Sequence, residues 1–440
     1  MQLYRDKDKK IELSFKNDEE KKQALNNFYR EKIAPDNEKE LDLAFLEKQF
    51  QEYLKKQVLH FMDKNYSDVV LLVGAGSSVI TDKEGHIDEN YGKTMQDISW
   101  NIFSELYGDN NTENNYMRPE NAVIFLPEDK RNKFTNDVFK DKNSWPSFPL
   151  EEYISNLNLY IEDAEKSGKK VKNPSLKQAK KLKQFILLKI VEAVHYQYKN
   201  DNVPFKHNKT ILKLLNLVHT AGHKLMVVTT NYDLAIEKSL ENDDFTIFDG
   251  FEFGKNGKFN DDMFEWSLSK EVNNINTREV IYKPHVIDLL KIHGSIDWIE
   301  KDGEIVRASI EDINDSIQND KNNLKMIFPT SNKYAQSYEE PYFDLMTRFQ
   351  NKLRNPNTLL VTAGFSFGDN HISRMIINAI KHNSSLNCLI TDYNIHEFDK
   401  SEDINDNWYE LDKLRSRGYN IAFLKATMCS YSNDLSYYLG

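Results

Sequence analysis

Four short stretches of the chain gather glycine, hydroxyl, amide and imidazole groups directly behind apolar runs. They are Gly74-Ala75-Gly76-Ser77-Ser78, Thr230-Asn231-Tyr232-Asp233, His293-Gly294-Ser295, and the nine residues from Gly364 to Ile372, GFSFGDNHI. In the first, no bulky side chain shields the backbone amides, so a phosphate can approach them closely. Asn231 adds a neutral donor and acceptor, and His293 exchanges a proton near neutral pH. Read together, the four stretches describe one nucleotide pocket.

Such a pocket needs rigid elements that end where the polar residues begin. Residues 69–73 are five apolar residues in a row, the pattern of a strand buried on both faces of a parallel sheet. Similar runs at 224–229, 288–292, 358–363, 387–391 and 420–424 predict further strands, with another strand end at 326–329. Three- and four-residue apolar spacing predicts helices over 38–62, 94–106, 209–219 and 342–353, and a helical block from 150 onward. Repeated strand, polar turn and helix units indicate an α/β, Rossmann-like parallel sheet with helices on both faces. Ligands of such sheets sit beyond the carboxyl ends of the strands. The expected organisation is an N-terminal helical extension (1–66) and a nucleotide-binding domain (67–440) interrupted by a helical insertion (109–222).

Composition narrows the classes. The chain has 440 residues, a formal net charge of −11 and two cysteines, Cys388 and Cys429. The acidic balance argues against nucleic acid as the main ligand. The lysine-rich run at 168–183 reads as the solvated face of a helix hairpin. Two cysteines exclude a disulfide framework and suit a reducing, cytoplasmic setting. No stretch has the length and apolarity of a membrane span. A dinucleotide dehydrogenase fits poorly, because the third glycine of G-x-G-x-x-G falls on Val79 and no acidic strand end follows about 20 residues on. No metal site is read: Gly222 separates His219 from His223, and Asp369 with His371 lacks a third ligand.

In this order, GAGSS, TTNYD, KIHGSIDW and GFSFGDNHI resemble the motif series of the sirtuin-like family. More narrowly they resemble the sirtuin-like NADases of bacterial anti-phage defence, some encoded beside a HerA-type hexameric ATPase. The resemblance runs from about residue 69 to the C-terminus. It implies that NAD⁺ is the substrate, that Gly74, Ala75, Gly76, Ser77 and Ser78 cradle its pyrophosphate, and that Gly364 and Ser366 line the other ribose and phosphate. Asn231 would hold the nicotinamide-side ribose and the attacking water, with Thr230 and Asp233 shaping its turn, and His293 would be the base. Two features depart from the deacylases of the family. A four-cysteine zinc module cannot be built from two cysteines, so no zinc is expected, and residues 81–93 replace the usual proline-aspartate-phenylalanine-arginine segment.

The resemblance therefore implies an NAD⁺ glycohydrolase that depletes NAD⁺ in defence, as a homo-oligomer and with a HerA-type partner, nucleic acid entering at most indirectly. Two other functions stay open: a non-catalytic NAD⁺- or ADP-ribose-binding subunit of an ATPase or nuclease complex, and an ADP-ribosyltransferase. Asp233 and Asp297 are both candidates to orient the imidazole.

Overall fold

The apolar runs form strands in chain order. β1 (Gln2–Arg5) and β2 (Lys10–Glu12) precede β3 (Asp68–Val73), and β4 (Leu225–Thr229) and β5 (Thr246–Phe248) follow it. A hairpin of β6 (Ser269–Glu271) and β7 (Val280–Tyr282) leads to β8 (Val286–Lys291). β9 (Gly294–Lys301), β10 (Glu304–Arg307) and β11 (Leu324–Met326) form a small antiparallel sheet in the order β10-β9-β11. β12 (Thr358–Ala363), β13 (Asn387–Asp392) and β14 (Ile421–Lys425) complete the set. This computed structural model describes residues 2–35, 41–107, 123–126, 128–132, 141–142, 145, 148–167, 174–197, 204–241, 243–254, 257–272, 279–319, 324–326, 340–395 and 406–440.

The main sheet has nine strands in the order β2-β1-β14-β13-β12-β3-β4-β8-β5. All pairings from β14 to β5 are parallel, while β1 and β2 add antiparallel at one edge. Its faces follow from side-chain parity along each strand. Val69, Leu71 and Val73 of β3 enter one core with Leu54, Val58, Ile211 and Leu214, whereas Val70 and Leu72 enter the other with Phe349, Ile376 and Leu411. Complete burial of such side chains stabilises by about 1.5–3 kcal/mol each. Helices Leu43–Phe61 and His207–Leu215 thus cover one face, and Tyr342–Arg354, Asn370–His382 and Asp406–Ser416 the other. This is an α/β, Rossmann-like fold.

Residues 1–66 carry the expected helical character in Asp18–Lys32 and Leu43–Phe61, and also β1 and β2, which sequence periodicity does not reveal. β1 is four residues long and lies in a charged stretch. Its place is set by the distant β14, through Tyr4 opposite Leu424 and Arg5 opposite Phe423, a pairing that covers an otherwise open sheet edge. The helix expected over 209–219 runs from His207 to Leu215. The strand end expected at 326–329 is described only to Met326, and β11 pairs with β9 rather than with the main sheet.

Between β3 and β4 lie helices Met95–Tyr107, Leu150–Ser167 and Leu176–Val194, with their own core of Ile102, Phe103, Tyr153, Leu157, Leu182 and Ile186. Ser175 and Gln178 close a capping box at the start of the last of these. Residues 168–173 of the lysine-rich run and most of 109–147 lie outside the described residues. No described helix is long and apolar enough to cross a membrane.

Candidate active site

β12, β3, β4 and β8 are consecutive neighbours in the sheet, and they are the four strands that end in the polar stretches. The chain runs from β3 through β4 to β8 on one side of the sheet, then returns to β12 on the other side of β3. The boundary between β3 and β12 is therefore a topological switch point, where open α/β sheets bind ligands.

The GAGSS and GFSFGD loops straddle that switch and are closely packed. The Gly74 amide donates to the Ala363 carbonyl and the Gly76 amide to the Gly364 carbonyl, both at 3.0 Å. Gly364 has φ +62°, and a Cβ there would lie 2.2 Å from the Ser77 nitrogen. Glycine is thus required at 364 by conformation and by contact. Residues 75–78 form a tight helical turn in which Ser77 and Ser78 are buried and Ala75 is exposed. Ser77 Oγ donates to the Gly74 carbonyl at 2.8 Å, and His207 Nε2 lies 3.4 Å behind it. Burial pushes the His207 imidazole down to about 4, so it is neutral at pH 7.

Asn231 follows β4 and is 8% exposed. Its Nδ2 donates to the Gly74 carbonyl at 3.1 Å and lies 3.4 Å and 3.3 Å from Ser77 Oγ and Ser78 Oγ. Only an NH₂ group is compatible with a carbonyl partner, so these contacts set the amide orientation and leave Oδ1 as its acceptor. Thr230 donates its amide to the Val73 carbonyl at 3.2 Å, tying the same turn to β3. Asp233 Oδ2 accepts from Ser78 Oγ at 3.1 Å and Tyr196 Oη at 3.4 Å, while Oδ1 accepts from the Ala235 amide at 3.0 Å. Burial raises the Asp233 carboxyl pKa against the opposing pull of Lys291. These bonds make Asp233 a brace between the first two motifs.

His293 follows β8, whose Lys291 stands in register with Thr229 of β4. The Ile292 amide donates to the Thr229 carbonyl at 3.1 Å. Asn231 and His293 therefore each lie two residues past that register pair, on neighbouring strand tips. Among the described residues the carboxylate at ion-pair distance from His293 is Asp369, with Oδ2 at 3.3 Å from Nε2, and neither Asp233 nor Asp297. Ser366, expected to line the pocket, is exposed; its Oγ accepts from the Gly368 amide at 3.3 Å, and its carbonyl accepts from Trp408 Nε1 at 2.9 Å.

Sequence reasoning assigned no role here to Lys291, His207 or Tyr196, and read Asp369 only as half of an incomplete metal pair. Lys291 had a signal, as a charge placed between apolar residues late in the run DLLKI. Asp369 had another, standing directly before an amphipathic helix as an N-cap does. Nothing local marks His207 or Tyr196.

No curated protein matches the chain. A family model does: residues 225–413, which include β4, β8 and β12 with Asn231, His293 and Gly364–Asp369, match a SIR2-like domain. The match covers less than half of the chain, and over that stretch it supports a sirtuin-like relationship.

Proposed function

We propose that the protein is an NAD⁺ glycohydrolase that releases nicotinamide and ADP-ribose. The observation that carries this reading is the pairing of a held neutral amide with an imidazole on adjacent strand tips, beside a glycine-serine turn at the switch point. In this reading Gly74, Ala75, Gly76, Ser77 and Ser78 receive the pyrophosphate, and Gly364 and Ser366 the second ribose and phosphate. Thr230 and Asp233 hold the turn that presents Asn231.

Cleavage of the glycosidic bond builds positive charge on the ribose. Asn231 Oδ1 accepts from water or a ribose hydroxyl without itself carrying charge. Water oxygen bonds to the anomeric carbon as the carbon–nitrogen bond breaks, nicotinamide leaves neutral, and His293 takes the released proton. General-base help of this kind contributes about 10²–10⁴-fold. The biological setting that accompanies this reading is NAD⁺ depletion in bacterial anti-phage defence, by a homo-oligomer acting with a HerA-type ATPase.

Incubating the full chain with NAD⁺ and measuring nicotinamide by chromatography tests the reading. Asn231→Ala and His293→Ala should each lower release by about 10²-fold or more. Unchanged release in both variants refutes it. Calorimetric binding of NAD⁺ without any nicotinamide would instead favour a non-catalytic NAD⁺-binding subunit. ADP-ribose retained on protein would favour a transferase.

A further inference from the structure

Asp369 uses its two carboxylate oxygens for different purposes. Oδ1 accepts from the His371 amide at 2.9 Å and the Ile372 amide at 3.2 Å, capping helix Asn370–His382. Oδ2 faces His293 Nε2 at 3.3 Å, and the two side chains are 10% and 9% exposed. The pair links the loop after β12 to the residues after β8, two strands between which β3 and β4 lie in the sheet.

The loop that presents Asp369 is held from several sides. Trp408 Nε1 donates to the Ser366 carbonyl at 2.9 Å, and the Phe367 carbonyl accepts from Asn407 Nδ2 at 2.9 Å and Ser373 Oγ at 3.0 Å. Phe367 is buried with φ +54°, a conformation that persists in a non-glycine residue only when its surroundings enforce it. The carboxylate is therefore placed by the fold before any ligand arrives.

We propose that Asp369 is the positioning residue for His293. At 3.3 Å from Nε2, the negative carboxylate oxygen favours by charge the tautomer of a neutral imidazole that carries its proton on Nε2. The lone pair then lies on Nδ1, which becomes the atom that takes a proton in the reaction. This inference rests on the glycohydrolase reading and adds the tautomer and the ring orientation to it.

Asp369→Asn separates the two duties. Asparagine caps a helix as well as aspartate does, yet it removes the charge that fixes the ring. With the full chain and NAD⁺, D369N should lower kcat by about 10²-fold, within the range of lost general-base help. KM and melting temperature should stay near wild type. Asp369→Ser, another good cap without a carboxylate, should behave alike if D369N folds poorly. In a His293→Ala background D369N should cause no further loss, because its effect passes through the imidazole.

If H293A is impaired while D369N and D369S keep wild-type kcat, Asp369 is a helix cap only, and the inference fails while the glycohydrolase reading stands. Additive losses in the double variant, or a loss that tracks melting temperature, overturn it as well. If H293A releases nicotinamide like wild type, the reading and the inference fall together.

Discussion

Replacing Lys291 with methionine tests how the Asn231 turn is supported. Lys291 ends β8, and its side chain is 2% exposed. Its Nζ donates to the Asp233 carbonyl at 2.5 Å and to Glu237 Oε1 at 2.9 Å. Burial by itself would lower the ammonium pKa, but Glu237, Asp297 and Asp233 outweigh it and raise it above the ordinary 10.5. Methionine preserves much of the volume while leaving the carboxylates without their cation. Breaking a buried pair this way costs about 3–5 kcal/mol. The Glu237 side chain is 23% exposed, so water recovers part of that and we expect about 2–4 kcal/mol.

Urea denaturation should show a lower midpoint with an unchanged slope. Asp233 and Glu237 already carry raised pKa values, chiefly through burial. Without the cation their ionised forms become less favourable still, so the cost of K291M should be smaller at pH 4 than at pH 7. The stabilising contribution of the Lys291 charge is itself present below 10.5 and is lost only as pH rises through the higher folded value. K291M/E237Q should regain about 1 kcal/mol or more. A cost under about 1 kcal/mol, equal at both pH values, would refute the argument.

Three further outcomes follow from the same geometry. Gly364→Ala forces a Cβ to within 2.2 Å of the Ser77 nitrogen at φ +62°; with about 1–2 kcal/mol from the left-handed conformation alone, it should destabilise by about 2 kcal/mol or more and abolish NAD⁺ binding measured by calorimetry, and a wild-type melting curve would contradict this. Asp288, beside Lys224 Nζ at 2.6 Å, is raised from 3.8 to about 6 by burial that exceeds the pull of that lysine. Its contribution to stability is full below 3.8 and declines as pH rises through 6, by at most about 3 kcal/mol, so the wild-type advantage over Asp288→Asn should shrink between pH 4 and 7 in urea titrations. Cys388 and Cys429 are buried free thiols, and burial raises Cys429 to about 12; neither should react with iodoacetamide at pH 8 until urea unfolds the chain.

Strands β3, β4, β8, β12, β13 and β14 were legible because each holds a short apolar run ending in a turn signal, and burial on both faces makes most of their residues hydrophobic, with Asp68, Asp288 and Lys291 among the exceptions. The same local rule missed β1. Its four residues gain their stability from β14, some 400 positions away. At the candidate site, glycine, asparagine and histidine stood out by type and by their place after strands. Asp369 was ambiguous, since one carboxylate serves equally as a helix cap, a metal ligand or an imidazole partner.

By itself, then, the sequence determined the kind of fold and the strand tips that carry polar groups, and its motif series is what suggested NAD⁺ for the proposed function. Tertiary structure alone decided that β12, β3, β4 and β8 are consecutive, that Asn231 turns its Nδ2 into the glycine loop, and that Asp369 rather than Asp233 meets His293. The physical reason is range. Periodicity and turn chemistry act over a few residues, whereas strand order, and the pairing of one buried polar side chain with another, depend on contacts between segments of the chain tens to hundreds of residues apart.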